Sequence, residues 1–281
     1  MPNPISTYLQ YIVPQHLLTA FMGRLARIRL PWLKNWEINH FIRKYNVDMS
    51  AAVVETPEAY PDFNSFFIRQ LKPELRPIVT GPKDIASPVD GAIAQIGTVA
   101  QNQLLQAKKH YFDLESLLGG DTQLASKFYD GSFATIYLAP RDYHRIHMPV
   151  TGKLTQSIYI PGKLFSVNRM TSELIPNLYS RNERLVTIFD TAAGPMAIIL
   201  VGAMIVGNIQ TVWMKQPVKS SGVQTANIAS DIQLEIGAEM GHFKLGSTVI
   251  LLFGKNAIEW APSCTPDSTV KFGQLLGKIL I

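Results

Sequence analysis

The sequence predicts an α+β fold, with amphipathic helices first and a mostly antiparallel β core after them. Apolar residues recur at helical spacing before residue 50, and short β-rich runs set off by turn residues fill most of the remainder. No heptads or low-complexity tracts occur. With 47% hydrophobic and 17% charged residues, the chain can bury a sizeable core.

The helices come first. Leu18, Phe21, Met22 and Leu25 fall at i, i+3, i+4, i+7, and Ile38, Phe41, Ile42 and Tyr45 repeat the spacing. Pro31 divides the two stretches, with Trp32 and Trp36 beside the break. Residues 1–47 hold six basic groups (Arg24, Arg27, Arg29, Lys34, Arg43, Lys44) against one acid, Glu37, and the remaining 20 basic and 20 acidic residues cancel. Aromatic anchors, an apolar stripe and surrounding cations match helices lying in a membrane interface. An ordinary helix pair packed on its own core is the alternative, and the charge asymmetry favours the membrane surface. Nucleic acid is disfavoured because the cations are interleaved with large aliphatics. Residues 1–50 are therefore expected to form a membrane-association segment, and residues 51–281 the main domain.

Within that domain, residues 61–78 (PDFNSFFIRQLKPELRPI) predict a short helical stretch ended by Pro73 and Pro77. Strands are predicted at Phe133–Leu138, Leu185–Phe189, Ala197–Val201, Ile232–Ile236 and Val249–Phe253. The longest apolar run, Met196 to Gly207, is 12 residues, whereas a spanning helix needs about 20. It reads as buried strand with glycine breaks. The first ten residues lack the features of a signal peptide, so the protein is expected to stay inside the cell. Cys264 is the single cysteine and cannot form an intrachain disulfide. PVDGAI (88–93) and PVTGKL (149–154) form a weak repeat, each predicting a lipoyl-like hairpin turn that needs a positive φ at its glycine.

Chemistry concentrates in residues 138–150, where Arg141, Asp142, His144, Arg145 and His147 lie between Pro140 and Pro149. Two histidines three apart could ligate a metal, but the intervening Arg145 opposes a cation and no thiol lies near in sequence. They could also be purely structural. A general base is the better use of a near-neutral imidazole, with a carboxylate such as Asp90 orienting it. Asp90, His147 and Ser247 make a candidate Asp–His–Ser set. Ser247 lacks the Gly-x-Ser-x-Gly elbow of many hydrolases, but it directly follows Gly246. A hydroxyl there can attack the preceding carbonyl and shift the acyl group from nitrogen to oxygen. Elimination from that ester releases the upstream chain as a carboxylate and leaves a dehydroalanine, which tautomerises and is hydrolysed with loss of ammonia to a pyruvoyl group at the new N-terminus. A serine hydrolase that stays whole, and a non-enzymatic membrane-binding module, are the rival readings.

The motifs SPVDGAI (87–93), YLAPRDYHRIHMPVTG (137–152), PGKLFSVN (161–168), VGAMIVGNI (201–209) and GAEMGHFKLGSTV (237–249), with FFIRQLKPELRPI (66–78) before them, resemble the bacterial phosphatidylserine decarboxylase family. The resemblance implies a proenzyme that cuts itself between Gly246 and Ser247 into a β chain (1–246) and an α chain (247–281), both contributing to the β core. Asp90, His147 and Ser247 would act as the charge relay for the cut. Ser247 would become a pyruvoyl cofactor that forms a Schiff base with phosphatidylserine and releases phosphatidylethanolamine, with no metal and no pyridoxal phosphate. His144 and the segment Phe165, Ser166, Val167 and Asn168 would line the headgroup site. A heterodimer of the two chains, possibly paired again, is implied at the cytoplasmic side of the inner membrane.

Overall fold

Three helices lead the chain: α1 (Pro4–Leu9), α2 (Gln15–Leu25) and α3 (Pro31–Tyr45). The computed structural model describes residues 4–107, 110–204, 209–214, 220–227, 231–243 and 247–280. Pro31 opens α3 at a position where its missing N–H is harmless, and Asn46, in the left-handed region, closes it.

The predicted α3 stripe packs into a small core, whereas in the α2 stripe Leu18, Met22 and Leu25 are half-buried and Phe21 is exposed. In α3, Ile38 is fully buried and Phe41, Ile42 and Tyr45 pack beside it in a small core with Phe63, Phe66 and Phe67. That face is an ordinary packed stripe. In α1 and α2 the buried residues are polar, namely Thr7, Gln15 and Thr19, as is Gln10 in the turn between them. The apolar residues Ile5, Tyr8, Ile12, Leu17 and Phe21 point outward, Ile12 and Leu17 being 78% and 73% exposed. Such an inversion is unfavourable in water and suits an apolar surface on the outer side.

Helix α4 (Phe63–Phe67) is much shorter than the stretch expected over 61–78. Past Phe67 the chain turns to pair with residues 51–53: Val53 N donates to Gln70 O and Lys72 N to Ala51 O. These non-local bonds end the helix well before either proline.

The strands are β1 (Asp84–Ala86), β2 (Gly91–Thr98), β3 (Gln103–Ala107), β4 (His110–Asp113), β5 (Ser132–Leu138), β6 (Arg145–His147), β7 (Gly152–Ile160), β8 (Arg184–Thr191), β9 (Gly194–Val201), β10 (Ile209–Thr211), β11 (Gln224–Asn227), β12 (Gln233–Leu234), β13 (Glu239–Phe243), β14 (Ser247–Phe253), β15 (Ile258–Trp260), β16 (Thr269–Val270) and β17 (Leu275–Ile279). Short helices α5 (Leu114–Leu117), α6 (Thr122–Ser126), α7 (Arg169–Leu174) and α8 (Leu178–Arg181) fill the connections. The main sheet runs β11-β7-β8-β9-β14-β5-β2-β16, with β12 also on β7, and its pairs are antiparallel. All seven residues of β14 are buried between β9 and β5, as an unbroken apolar run requires. In the 196–207 run, Met196–Val201 lie in β9, and Ile205 to Gly207 fall outside the described residues. Of the strand expected at Ile232–Ile236 only Gln233–Leu234 forms, because the chain turns at Gly237 (φ 79°).

The weak sequence repeat marks a duplication of backbone. The pairs Ala86↔Leu275, Ile85↔Gly277 and Asp84↔Lys278 recur as His147↔Glu239, Ile146↔Gly241 and Arg145↔His242, with an irregularity at the same step. The β2/β5 register and its bulge recur in β7/β8, and β16 on β2 recurs as β12 on β7. The two copies meet where Ala86 N donates to Pro149 O and His147 N to Pro88 O, so the repeated corners do face each other. Gly91 and Gly152 do not have the positive φ expected of them. They are needed for close approach: a Cβ on Gly91 would lie 2.5 Å from Tyr137 O, and one on Gly152 3.0 Å from Thr191 Cγ2. The left-handed glycines are instead Gly237 and Gly273, which bond the corners from the opposite strands.

Candidate active site

Ser247 opens β14 opposite Leu138 of β5. Its Oγ is buried and has no hydrogen-bond partner among the described residues, a costly state for a hydroxyl that serves only structure. Gly246 lies outside the described residues.

Directly after Leu138 comes the histidine-rich loop. Asp142 Oδ2 accepts from Ala139 N at 2.7 Å and closes the loop on itself, and β6 then carries His147. His147 Nδ1 lies 2.8 Å from Gly237 O, and its Nε2 lies 3.1 Å from Tyr143 Oη. A carbonyl only accepts, so Nδ1 carries the proton and Nε2 offers a lone pair that takes the Tyr143 hydroxyl. Burial pushes the His147 pKa down, against the opposing pull of the Gly237 carbonyl. A neutral imidazole with a basic Nε2 results, which is the form a general base needs.

Asp90 does not hydrogen-bond to His147. It binds Arg76 through two bonds, of 3.0 and 2.6 Å, and accepts from Phe272 N at 2.8 Å. The Phe272 ring stacks on His147 with centroids 3.7 Å apart. Asp90 and His147 therefore share one neighbour, and Ser247 has a hydrogen bond to neither. In the duplicated corner Thr151 Oγ1 accepts from Ile236 N just as Asp90 accepts from Phe272 N. That bond belongs to the scaffold, whereas the charge of Asp90 is particular to this copy.

His144 is fully buried and stacked on Phe67 at 4.1 Å. Its nitrogens face the carbonyls of Pro140 and Ala139 outside hydrogen-bond geometry and have no partner. Burial, with the nearby Arg69 charge, pushes its pKa down to about 3, so it works as a neutral ring.

The 165–168 segment lies under the N-terminal helices. Leu164 N donates to Gln15 Oε1 and Ser166 N to Gln10 Oε1, while Tyr11 packs on Phe165. Phe165 and Val167 are buried, and Asn168 Oδ1 caps α7 by accepting from Thr171 N. Among the described residues no group of three or more His, Cys, Asp or Glu gathers at metal-binding distance.

Sequence reasoning missed Tyr143, Phe272 and Arg76, whose places depend on long-range packing. Adjacency to His144 was the one available pointer to Tyr143.

Comparison with known proteins follows the same outline. A family model described as Phosphatidylserine decarboxylase matches residues 63–278, and one described as PSD matches residues 5–46. The phosphatidylserine decarboxylase proenzyme of Azotobacter vinelandii is 49% identical over 274 residues, covering 96% of each chain. That of Stutzerimonas stutzeri is 50% identical, covering 100% of this chain and 96% of its own. That of Bordetella avium is 51% identical, covering 95% and 92%. Matched in both its helices and its β core, this chain belongs to the phosphatidylserine decarboxylase family.

Proposed function

We propose that this chain is a phosphatidylserine decarboxylase that makes its own pyruvoyl cofactor by cutting itself between Gly246 and Ser247. The observation that carries the reading is the Ser247 hydroxyl, buried without a partner at the start of the central strand. Leu138, opposite it, leads straight into the loop that bears a neutral His147. In the cut, Ser247 Oγ attacks the Gly246 carbonyl as His147 Nε2 takes its proton, directly or through the Tyr143 hydroxyl. The C–N bond breaks as the imidazolium returns its proton to the Ser247 nitrogen, leaving an ester; elimination then expels residues 1–246 as a carboxylate, and the remaining dehydroalanine is hydrolysed with loss of ammonia to the ketone. Asp90 supports the developing imidazolium through its charge and holds Phe272 against the ring.

A ketone at position 247 would supply the electron sink for loss of CO2 from the serine headgroup. The residues present fit such a group, since position 247 is buried and its sheet partner Leu138 leads into the loop that carries two neutral histidines. His144, an unpartnered neutral ring, is placed here to face the reacting headgroup and move a proton. The 165–168 loop, which packs under the N-terminal helices, is assigned to the headgroup site.

Residues 1–50 are read as the membrane-association segment and 51–281 as the catalytic domain. The outward apolar faces of α1 and α2 support peripheral binding at the cytoplasmic side of the inner membrane. Among the described residues no helix is long and apolar enough to cross a membrane. A groove of about 390 Å³ between α2 and α3 is lined by Met22, Trp36, Phe41, Phe63, Pro140 and Phe67, the last of which stacks on His144. It offers lipid chains an apolar path beside the site.

Intact-mass measurement tests the reading. Purified protein is expected as two chains divided at 246/247, the short one lacking a free N-terminal amine, and Ser247→Ala as a single inactive chain. An active, uncut wild type would overturn it.

A further inference from the structure

Arg69 is a buried cation whose own surroundings leave it uncompensated. The residue is 4% exposed, and its Nε and Nη1 are buried with no hydrogen-bond partner. Its one hydrogen bond among the described residues, Nη2 to Arg141 O at 2.9 Å, neutralises no charge. Phe66 lies under the guanidinium at 5.4 Å. The carboxylates whose fields reach it are engaged elsewhere. Asp90 is held by Arg76 and Phe272 N, Asp142 by Ala139 N, and Asp48 by Ser50. Burying a guanidinium without a counter-charge costs several kcal/mol, so a position like this is retained for an anion that arrives from outside.

Its location says which anion. Arg141, gripped by Arg69, stands three residues beyond Leu138, the partner of Ser247 in the sheet. Arg69 also lies close enough to His144 for its charge to act on that ring. Three side chains with buried, unpartnered polar atoms, Arg69, His144 and Ser247, thus belong to or adjoin one loop. His144 is neutral, which leaves Arg69 as the cation of this group. Resting on the function proposed above, we infer that Arg69 binds the phosphodiester of the lipid headgroup. The other anion available, the substrate carboxylate, is the poorer match. An ion pair to it would be strongest before reaction and vanish as CO2 leaves, so it would hold back the step being catalysed. The phosphodiester keeps its charge in substrate, transition state and product.

Arg69→Met and Arg69→Lys test this with phosphatidylserine in mixed micelles and phosphatidylethanolamine as product inhibitor. Self-cleavage, followed by intact mass, is expected to be complete in both variants, which separates this inference from the self-processing reading. Arg69→Met is expected to raise KM and the product inhibition constant together, by about tenfold to a hundredfold, with kcat changed less than about threefold. Arg69→Lys should fall between, because a point charge replaces a two-pronged donor. The melting temperature of the Met variant should be equal to or above that of the wild type. A KM that rises while product inhibition stays unchanged would assign Arg69 to the carboxylate and overturn the inference. A lowered melting temperature with unchanged KM in the Lys variant would make Arg69 structural and overturn it too.

Discussion

Replacing Asp90 by Asn removes a charge and little else. The amide oxygen can still accept from Phe272 N, so the ring on His147 keeps its support. What changes first is Arg76, whose side chain is 11% exposed and loses a carboxylate partner held by two bonds. Breaking one side of a buried pair costs about 3–5 kcal/mol, and the residual exposure points to about 3. At roughly 2–4 °C per kcal/mol for a chain of this size, the melting temperature should fall by about 6–12 °C. Adding Arg76→Gln removes the stranded cation and should restore most of that loss. Stability is best compared in a Ser247→Ala background, where every variant remains one uncut chain. With Ser247 restored, the rate of conversion to two fragments reads the chemistry. The double variant should be as stable as its parent yet cut itself about ten to a hundred times more slowly, part of what a general base contributes. Should the stabilised double variant cut at the parental rate, Asp90 is a scaffold residue and the charge-relay reading fails.

The remaining predictions concern the helices and acid stability. Leu17→Glu with Phe21→Glu should weaken sedimentation with anionic phospholipid vesicles more than tenfold, each large side chain contributing about 1.5–3 kcal/mol, and leave the melting temperature unchanged. Undiminished vesicle binding would assign those outward faces to some other contact. The His144 pKa is about 3 in the folded chain against an ordinary 6.5 unfolded, so between these values the unfolded state binds the extra proton. Folding stability should therefore fall as pH drops below 6.5, by about 1.4 kcal/mol per pH unit from this residue, in urea titrations from pH 7 to 5. His147, lowered in the same direction, adds to the slope, and His144→Gln should remove only the His144 share. An unchanged slope in that variant would show His144 to be partnered in solution.

Much of the β core was legible because its strands are local events. Unbroken apolar runs such as Val249–Phe253 announce burial on both faces, and β14 is buried throughout. The reactive residues were legible as types: a Gly-Ser step, a histidine pair between prolines, an acid near a glycine. Their wiring was not. That Asp90 meets Phe272 and Arg76 rather than His147 depends on strands far apart in sequence. Periodicity also could not show that α2 carries exposed apolar residues such as Leu17 beside its stripe, because it reads spacing and not which face is covered. Arg69 sat inside a stretch that read only as helix, and its significance appears once its neighbours are known to be engaged elsewhere. The duplication showed in the sequence as little more than Pro-Val-x-Gly, since equivalent backbone bonds can be made by unlike side chains.

That duplication gives the molecule an internal control. At one corner stand Asp90, Phe272 and Ser247; at the equivalent places of the other stand Thr151, Ile236 and Gly194, and His147 answers to Ala86. The two share a chain path, so features common to both belong to architecture, and those found once are the candidates for the proposed chemistry. Installing residues from the silent corner in the reactive one is thus a graft between sites of matched geometry, and it can disarm the enzyme while the frame stands.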